Sequence, residues 1–288
     1  LAPFADSDLM LTRHIERLLA DVMEDPGRKG SVLRYFSEYL RPHKTAFEFK
    51  SRGEYLDYVR SNKPISFQGE ELRSMEELTV ANTLFLNGIR YKYEDRYKHH
   101  TANKDYRQYQ PDFYLLDYDI YIEHFALNES GAAPAHFVGY EDGVKWKRDL
   151  HKEKGTTLIE TYSYQASRGT LQDCLLQSLS THGVRIAPVE QEDAIKMLNS
   201  SGYVSELAVT IKTFLHLFKG KGGDSESLRD RVDRNTFGGM RLLAFLDIFE
   251  PFFDKYESEL HASGCIDFDD MINQAASAIR AGTYQRTF

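Results

Sequence analysis

This 288-residue chain predicts an α+β protein, a helical subdomain interrupted by an α/β unit. Three observations lead there. Apolar residues recur at helical spacing near the start of the chain and again from Glu190 onward. Between these stretches, Tyr and β-branched residues gather in short runs bounded by turn residues, the pattern of strands. The order in the middle, α-β-β-β-α-β-α with a further short strand, makes a unit of its own. The division expected is residues 1–63 for the first helical part, 64–188 for the α/β insertion and 189–288 for the second helical part.

The first helix carries Leu11, Ile15, Leu18, Leu19 and Val22 behind Ser7 and Asp8 as N-cap candidates. Val32, Leu33, Phe36 and Leu40 make a second stripe. Ser51-Arg52-Gly53-Glu54 has the form of a capping box for a third helix. Pro64 to Gly69 reads as an extended piece and turn, and Ser74 to Asn87 as a helix ended by Asn87-Gly88. Strands and turns fill Ile89 to Phe125. A helix over Gly139–Lys154 precedes a strand at Thr157–Ser163, a helix at Leu171–Leu179 and a short strand at Val184–Ile186. Beyond Glu190, Leu207, Ile211, Phe214, Leu215 and Phe218 form one stripe. A long helix is expected from about Gly239 to Leu260, and another after Asp267.

Composition narrows the function classes. Hydrophobic residues are 41% and charged residues 28%, ordinary for a soluble domain. No apolar run approaches the roughly 20 residues that span a bilayer, so no membrane partner is expected. The two cysteines, Cys174 and Cys265, have no metal-ligand spacing, and with no signal-peptide layout they point to the cytoplasm. A net charge of −8 argues against a protein coated in basic charge but leaves room for a local basic groove. The chain begins at Leu1 without Met and reads as a fragment or a processed piece. It has no G-x-x-x-x-G-K-[ST] phosphate loop, and Lys219-Gly220-Lys221-Gly222-Gly223 reads as a plain loop.

Two carboxylates are the leading candidates for chemistry. Asp112 and Glu123 fall on neighbouring β-segments, where a pair of acids can grip a hard cation such as Mg²⁺. Alternation puts Tyr121 and Glu123 on one face and Ile122 and His124 on the other. Glu77 is a third acid, which by spacing alone fits a capping box bonding back to Ser74. Glu160 reads as supporting. Lys145, Lys147 and His151 lie on the following helix, in a stretch that fits an ordinary charged helix, and His124 follows Glu123 directly. Arg90, Lys92, Arg96, Lys98, Lys104 and Arg107 interleave with Tyr91, Tyr93, Tyr97, Tyr106 and Tyr109 around His99-His100. That suits phosphates and stacked bases, and equally a hairpin with one packed and one solvated face. Asp267, Asp269 and Asp270 fit the start of a helix.

Gln110-Pro111-Asp112-Phe113-Tyr114-Leu115 followed by Ile120-Tyr121-Ile122-Glu123-His124-Phe125 resembles the PD-(D/E)xK nuclease superfamily. One position departs, since that family's lysine, which handles the attacking water, falls two residues after the glutamate, where this chain has Phe125; Lys145, Lys147, His151 or His124 could replace it in space. The stretch Asp267-Phe268-Asp269-Asp270-Met271-Ile272, after Phe245-Leu246-Asp247-Ile248-Phe249 and Tyr256-Glu257, resembles one in UvrD/Rep-type superfamily 1 DNA helicases. With Arg73-Ser74-Met75-Glu76-Glu77, Phe85-Leu86-Asn87-Gly88-Ile89, Trp146-Lys147-Arg148 and Leu158-Ile159-Glu160, the chain looks like the nuclease-like insertion of helicase IV-type proteins. The resemblance implies a piece of an ATP-dependent 3′-to-5′ DNA helicase of replication and repair. It implies accessory subdomain 1B, contacting DNA and interrupted by a restriction-endonuclease-like domain. It places Asp112, Glu123 and Glu77 around Mg²⁺, and ATP in motor domains of the parent polypeptide outside this chain. A metal-dependent DNA endonuclease and a non-catalytic DNA- or protein-binding module are the alternatives.

Overall fold

The computed structural model describes residues 2–23, 25, 27–40, 44–104, 107–200 and 202–283, with the backbone alone for 2–11, 23, 29, 191, 192, 195 and 199. Tyr106 and the side chains of Ser7, Asp8 and Leu11 lie outside the described residues. The fold is α+β. In chain order it runs α1 (Ala2–Met23), α2 (Lys29–Arg34), α3 (Arg52–Asn62), α4 (Met75–Leu86), β1 (Tyr91–Tyr93), β2 (Phe113–Leu115), β3 (Ile120–Phe125), α5 (Tyr140–Lys154) and β4 (Thr157–Tyr162). It continues with α6 (Ser163–Ser167), α7 (Leu171–Thr181), α8 (Gln191–Ser200), α9 (Tyr203–Gly220), α10 (Ser225–Asp230), α11 (Phe237–Ala262) and α12 (Phe268–Arg280). No helix is long and apolar enough to cross a membrane among the described residues.

Two compact units divide the chain. Leu1–Phe36, Ile195–Asp233 and Arg241–Phe288 make one; Ser37–Ala194 with Arg234–Met240 makes the other. In the first, Ile15, Leu18, Leu19 and Val22 of α1 and Leu207, Ile211 and Leu215 of α9 are buried, as their helical spacing requires. Phe214, Phe218, Phe245 and Phe249 pack ring against ring between α9 and α11. Helix α1 begins at Ala2, so Ser7 and Asp8 are interior positions rather than caps. The stripe from Val32 to Leu40 is α2 followed by a π-helical turn at Tyr35–Tyr39.

The second unit centres on a four-stranded sheet in the order β1-β2-β3-β4, antiparallel except for the β3–β4 pair. The parallel pair follows from the connection, because a strand joined to its neighbour through a helix such as α5 returns in the same direction. One sheet face carries Phe113, Leu115, Ile120, Ile122 and Ile159 into a core with Leu78, Ala81 and Leu84 of α4 and Leu171, Leu175 and Leu179 of α7. On the other face Tyr121 packs with Tyr97, Tyr109 and Leu150 of α5, while Phe125 packs with Leu127 and Val144 of α5. Helix α3 belongs to this unit, with Tyr55 and Val59 packing on Ala46 and Phe49.

Helix α4 ends as the Asn87-Gly88 pair requires. Gly88 sits at φ +67°, with its amide on the Phe85 carbonyl at 3.0 Å and the Ile89 amide on Leu84 at 3.0 Å. A Cβ there would lie 2.3 Å from the Ala187 carbonyl oxygen, so only glycine fits. The same approach removes the short strand expected at Val184–Ile186. Following it, Ala187 and Val189 donate to the last carbonyls of α4, Asn87 and Leu86, at 3.1 and 3.0 Å, and the segment joins no sheet.

Candidate functional site

The β2–β3 register sets the two acids. Phe113 pairs with Ile122, so Asp112, one residue earlier, and Glu123, one residue later, occupy the next opposed position. Opposed residues share a sheet face with Cβ atoms about 5 Å apart. The His124 amide donates to Asp112 Oδ2 at 2.7 Å, which fixes Asp112 at the mouth of the ladder. Glu123 is wholly buried. Tyr109 donates its hydroxyl proton to Glu123 Oε1 at 2.5 Å, and Lys147 Nζ reaches Oε2 at 2.5 Å. Burial, then repulsion from Asp112, pushes the Glu123 carboxyl up to about 8 against the pull of Lys147 and Tyr109.

Lys147 comes from α5, one turn before the buried Leu150 and His151 that turn this helix face toward the sheet. Its ammonium lies 5.6 Å from the centre of the Phe125 ring. Phe125 is therefore the floor over which a lysine from the neighbouring helix extends, at the strand position where the resemblance leads one to look for lysine. Burial would strip the proton from Lys147, but Glu123 and Asp112, with Glu77 behind them, outweigh it and hold the group above the ordinary lysine range. The group is thus held as an ammonium. Its side chain remains 28% exposed, which opens the site to solvent at this point.

Glu77 arrives from the first turn of α4. Ser74 caps that helix by accepting from the Glu77 amide at 3.0 Å, a bond worth about 1 kcal/mol. The Glu77 carboxylate does not bond back to Ser74. It accepts from Tyr93 at 2.6 Å and from the Arg73 amide at 3.2 Å. Burial, and next the charge of Asp112, raise it to about 7. Glu77 and Glu123 thus both respond to Asp112, which stands between them electrically.

The other candidates take different places. His151 does not face the acids directly. Its Nε2 meets the Tyr109 hydroxyl at 3.2 Å and its Nδ1 meets Thr156 Oγ1 at 2.7 Å. Tyr109 has one proton and gives it to the carboxylate, so with Glu123 ionised the His151 Nε2 must donate to Tyr109. Burial, then the charge of Lys147, lower His151 to about 4 and keep it neutral. It stands one hydrogen bond away from Glu123, behind Tyr109. His124 points to the opposite face, with Nδ1 2.9 Å from Thr161 Oγ1 and Nε2 3.6 Å from buried Glu76. Glu160 is tied to Arg148 at 2.6 Å. Glu76, and the hold of Tyr109 and Tyr93 on the acids, were not legible, because they depend on which strand ends meet.

The basic aromatic stretch is largely spent. Tyr91, Tyr97 and Tyr109 are buried and offer no face to a base. Arg90 pairs with Asp117, Lys92 with Asp95 at 3.0 Å and Lys98 with Asp119 at 2.6 Å. Arg96, Lys104 and Arg107 make no ion pair among the described residues. Expected stacking on Tyr91, Tyr97 and Tyr109 is thereby overturned, since Tyr97 and Tyr109 fill the space between the sheet and α5 and Tyr91 packs into the core on the other face.

A cation of the Mg²⁺ class fits the donor chemistry of Asp112, Glu123 and Glu77. These are three hard oxygen donors, two of them with raised proton affinity that a cation would relieve. They do not bring one oxygen each within 4.8 Å of the others. The one described group that does is Glu257, Asp267 and Asp270, in the helical unit. There the cation is Lys219, whose Nζ lies 2.7, 2.7 and 2.8 Å from the three acids. Asp267 also caps α12, accepting from the Asp270 amide at 2.8 Å. Comparison with protein-family models, curated proteins and solved structures returns no match.

Proposed function

We propose that the second unit hydrolyses phosphodiester bonds in nucleic acid with a divalent cation held by Asp112, Glu123 and Glu77. This takes up the PD-(D/E)xK resemblance, with the family lysine supplied from α5 by Lys147. The observation that carries it is the Lys147 ammonium on Glu123 at 2.5 Å, over the Phe125 ring and within the field of Asp112. When bound, the cation supplies Lewis-acid polarisation of the phosphate and a more acidic water. The protein's own groups do the rest. Lys147 offsets negative charge building on the phosphoryl oxygens. Tyr109, steered by His151, keeps Glu123 aimed. Glu77, aimed by the Tyr93 hydroxyl and the Arg73 amide, would complete the set of acid donors. The test is cleavage of DNA in Mg²⁺ or Mn²⁺. Loss of cutting in both Asp112→Asn and Lys147→Met is expected, and equal cutting by wild type and both variants would overturn the reading.

The wider reading is that this unit interrupts the accessory subdomain of a UvrD/Rep-type DNA helicase acting in DNA repair. A helical unit assembled from chain segments on both sides of the α/β unit favours it. The ATP-binding motors would be further parts of the same polypeptide. The chain itself should then neither bind nor turn over ATP, with or without DNA. ATPase activity that tracks the purified protein would remove this reading and leave the cleavage proposal standing.

A further inference from the structure

We infer that the acid site takes an unpaired nucleotide strand, one base stacking on Trp146 while the adjoining phosphodiester reaches Lys147 and Glu123. The inference rests on the phosphodiester reading above and adds the class of substrate.

Trp146 is the only tryptophan in the chain. It stands on α5 directly before Lys147, with 40% of its surface exposed. Its indole meets the Tyr109 ring edge-on, centroids 5.5 Å apart, and the Tyr109 hydroxyl holds Glu123. One ring therefore separates an exposed indole from the buried carboxylate. An indole of this kind offers a base a stacking surface that is indifferent to sequence, and such contacts are lost by roughly an order of magnitude in affinity on truncation.

Charge argues against a duplex. Binding along a double helix draws on many phosphate neutralisations at once. Around this site Arg73 is already paired with Glu94, Arg148 with Glu160, and Arg90, Lys92 and Lys98 with aspartates. Lys145 of the same helix, Arg96 and Arg107 are exposed and make no ion pair among the described residues. Few phosphates can be matched, so stacking must contribute a large share of the affinity. Depth argues the same way. Glu123 is fully buried and Lys147 only 28% exposed, so the scissile phosphate must enter a recess. A stacked, paired backbone resists that bend, whereas an unpaired one does not.

The sole tryptophan makes the test direct. In Ca²⁺ without Mg²⁺, a short oligothymidylate should quench the Trp146 emission saturably. Its blunt duplex, at equal nucleotide concentration, should not. An oligouridylate arm tells whether the strand is read as DNA or RNA. By anisotropy of a labelled oligonucleotide, Trp146→Ala should bind the single strand about tenfold more weakly, while Trp146→Phe keeps most of the affinity. Single-strand binding by anisotropy with no change in emission would overturn the inference, as would equal quenching by the duplex. So would Trp146→Ala binding as tightly as wild type with an unchanged melting temperature. Quenching without cleavage in Mn²⁺ would retain the stacking site and remove the hydrolytic reading; duplex cleavage at full rate by Trp146→Ala would do the reverse.

Discussion

Each unit sets a lysine among three acids, and the two arrangements differ in one respect. In the helical unit, Lys219 is 6% exposed and reaches Glu257, Asp267 and Asp270 within 2.8 Å, with Tyr256 beneath it. Each acid has the same partner, and Asp267 is further held by the Tyr256 hydroxyl and the Asp270 amide. In the α/β unit, Lys147 bonds to Glu123 alone, while Asp112 remains to repel both Glu123 and Glu77. The first cluster is closed and complete. The second keeps unrelieved like charge at a point that opens to solvent. A polar cluster whose groups satisfy one another contributes to fold specificity; one that leaves carboxylates in conflict is the one the proposed cation would relieve.

The largest effect should separate these two lysines. Lys219→Ala leaves three partly buried acids without a counter-ion, and breaking such a cluster costs about 3 kcal/mol. Lys147→Met removes a cation from buried acids that can take up protons near neutrality in its place, so its cost should be smaller, about 1 kcal/mol. Urea unfolding of both variants at pH 7 checks the contrast. Equal destabilisation would mean that Lys147 is as structural as Lys219.

A smaller effect appears in pH and divalent ions. The unfolded glutamate value is about 4.3. Glu77 and Glu123 titrate in the fold near 7 and 8, raised by burial and Asp112. Stability linked to them is complete below about pH 4.3 and is lost as pH rises through 7 and 8. His151, lowered to about 4, has the opposite sign and loses its contribution only as pH falls from about 6.5 toward 4. Above pH 6.5 the carboxylates dominate. Mg²⁺ or Mn²⁺ should therefore raise the melting temperature more at pH 8 than at pH 5.5, and Asp112→Asn should flatten that difference. A gain identical at both pH values and untouched by Asp112→Asn would place the ion elsewhere.

How much of this was legible in the chain varies by residue. Periodicity named the helices because burial on one face leaves a pattern at fixed spacing, as in Leu207, Ile211 and Leu215. Alternation along Ile120–Phe125 put Glu123 and His124 on opposite faces, and the sheet keeps them there. Caps at Ser51, Ser74 and Asp267 were readable because the donor lies three residues away. What distance in sequence hides is pairing. Nothing local tells that Lys219 meets Asp267, that Tyr109 meets Glu123, or that Val189 meets Leu86. The aromatic stretch misled for the same reason: tyrosines that look available to bases are those that fill the cores on the two faces of the sheet.

The smallest effect concerns the basic stretch and bears on whether it touches phosphate at all. Arg90, Lys92 and Lys98 are already held by Asp117, Asp95 and Asp119, so each would have to exchange a partner to bind a phosphate. Exposed pairs of this sort are worth under about 1 kcal/mol, so the exchange is cheap but yields little net attraction. Arg96 and Arg107 start without an ion pair and release counterions in full on contact. Replacing Arg96 and Arg107 together by Ala should reduce the slope of log affinity against log salt by about 1.4 for a single strand, two contacts at roughly 0.7 each. Lys92→Ala with Lys98→Ala should change it by less than half as much. The slopes come from anisotropy titrations over a salt series. If the Lys92/Lys98 pair moves the slope more than the Arg96/Arg107 pair, the aspartates release their lysines to phosphate, and the spent face of the hairpin is the strand-binding one.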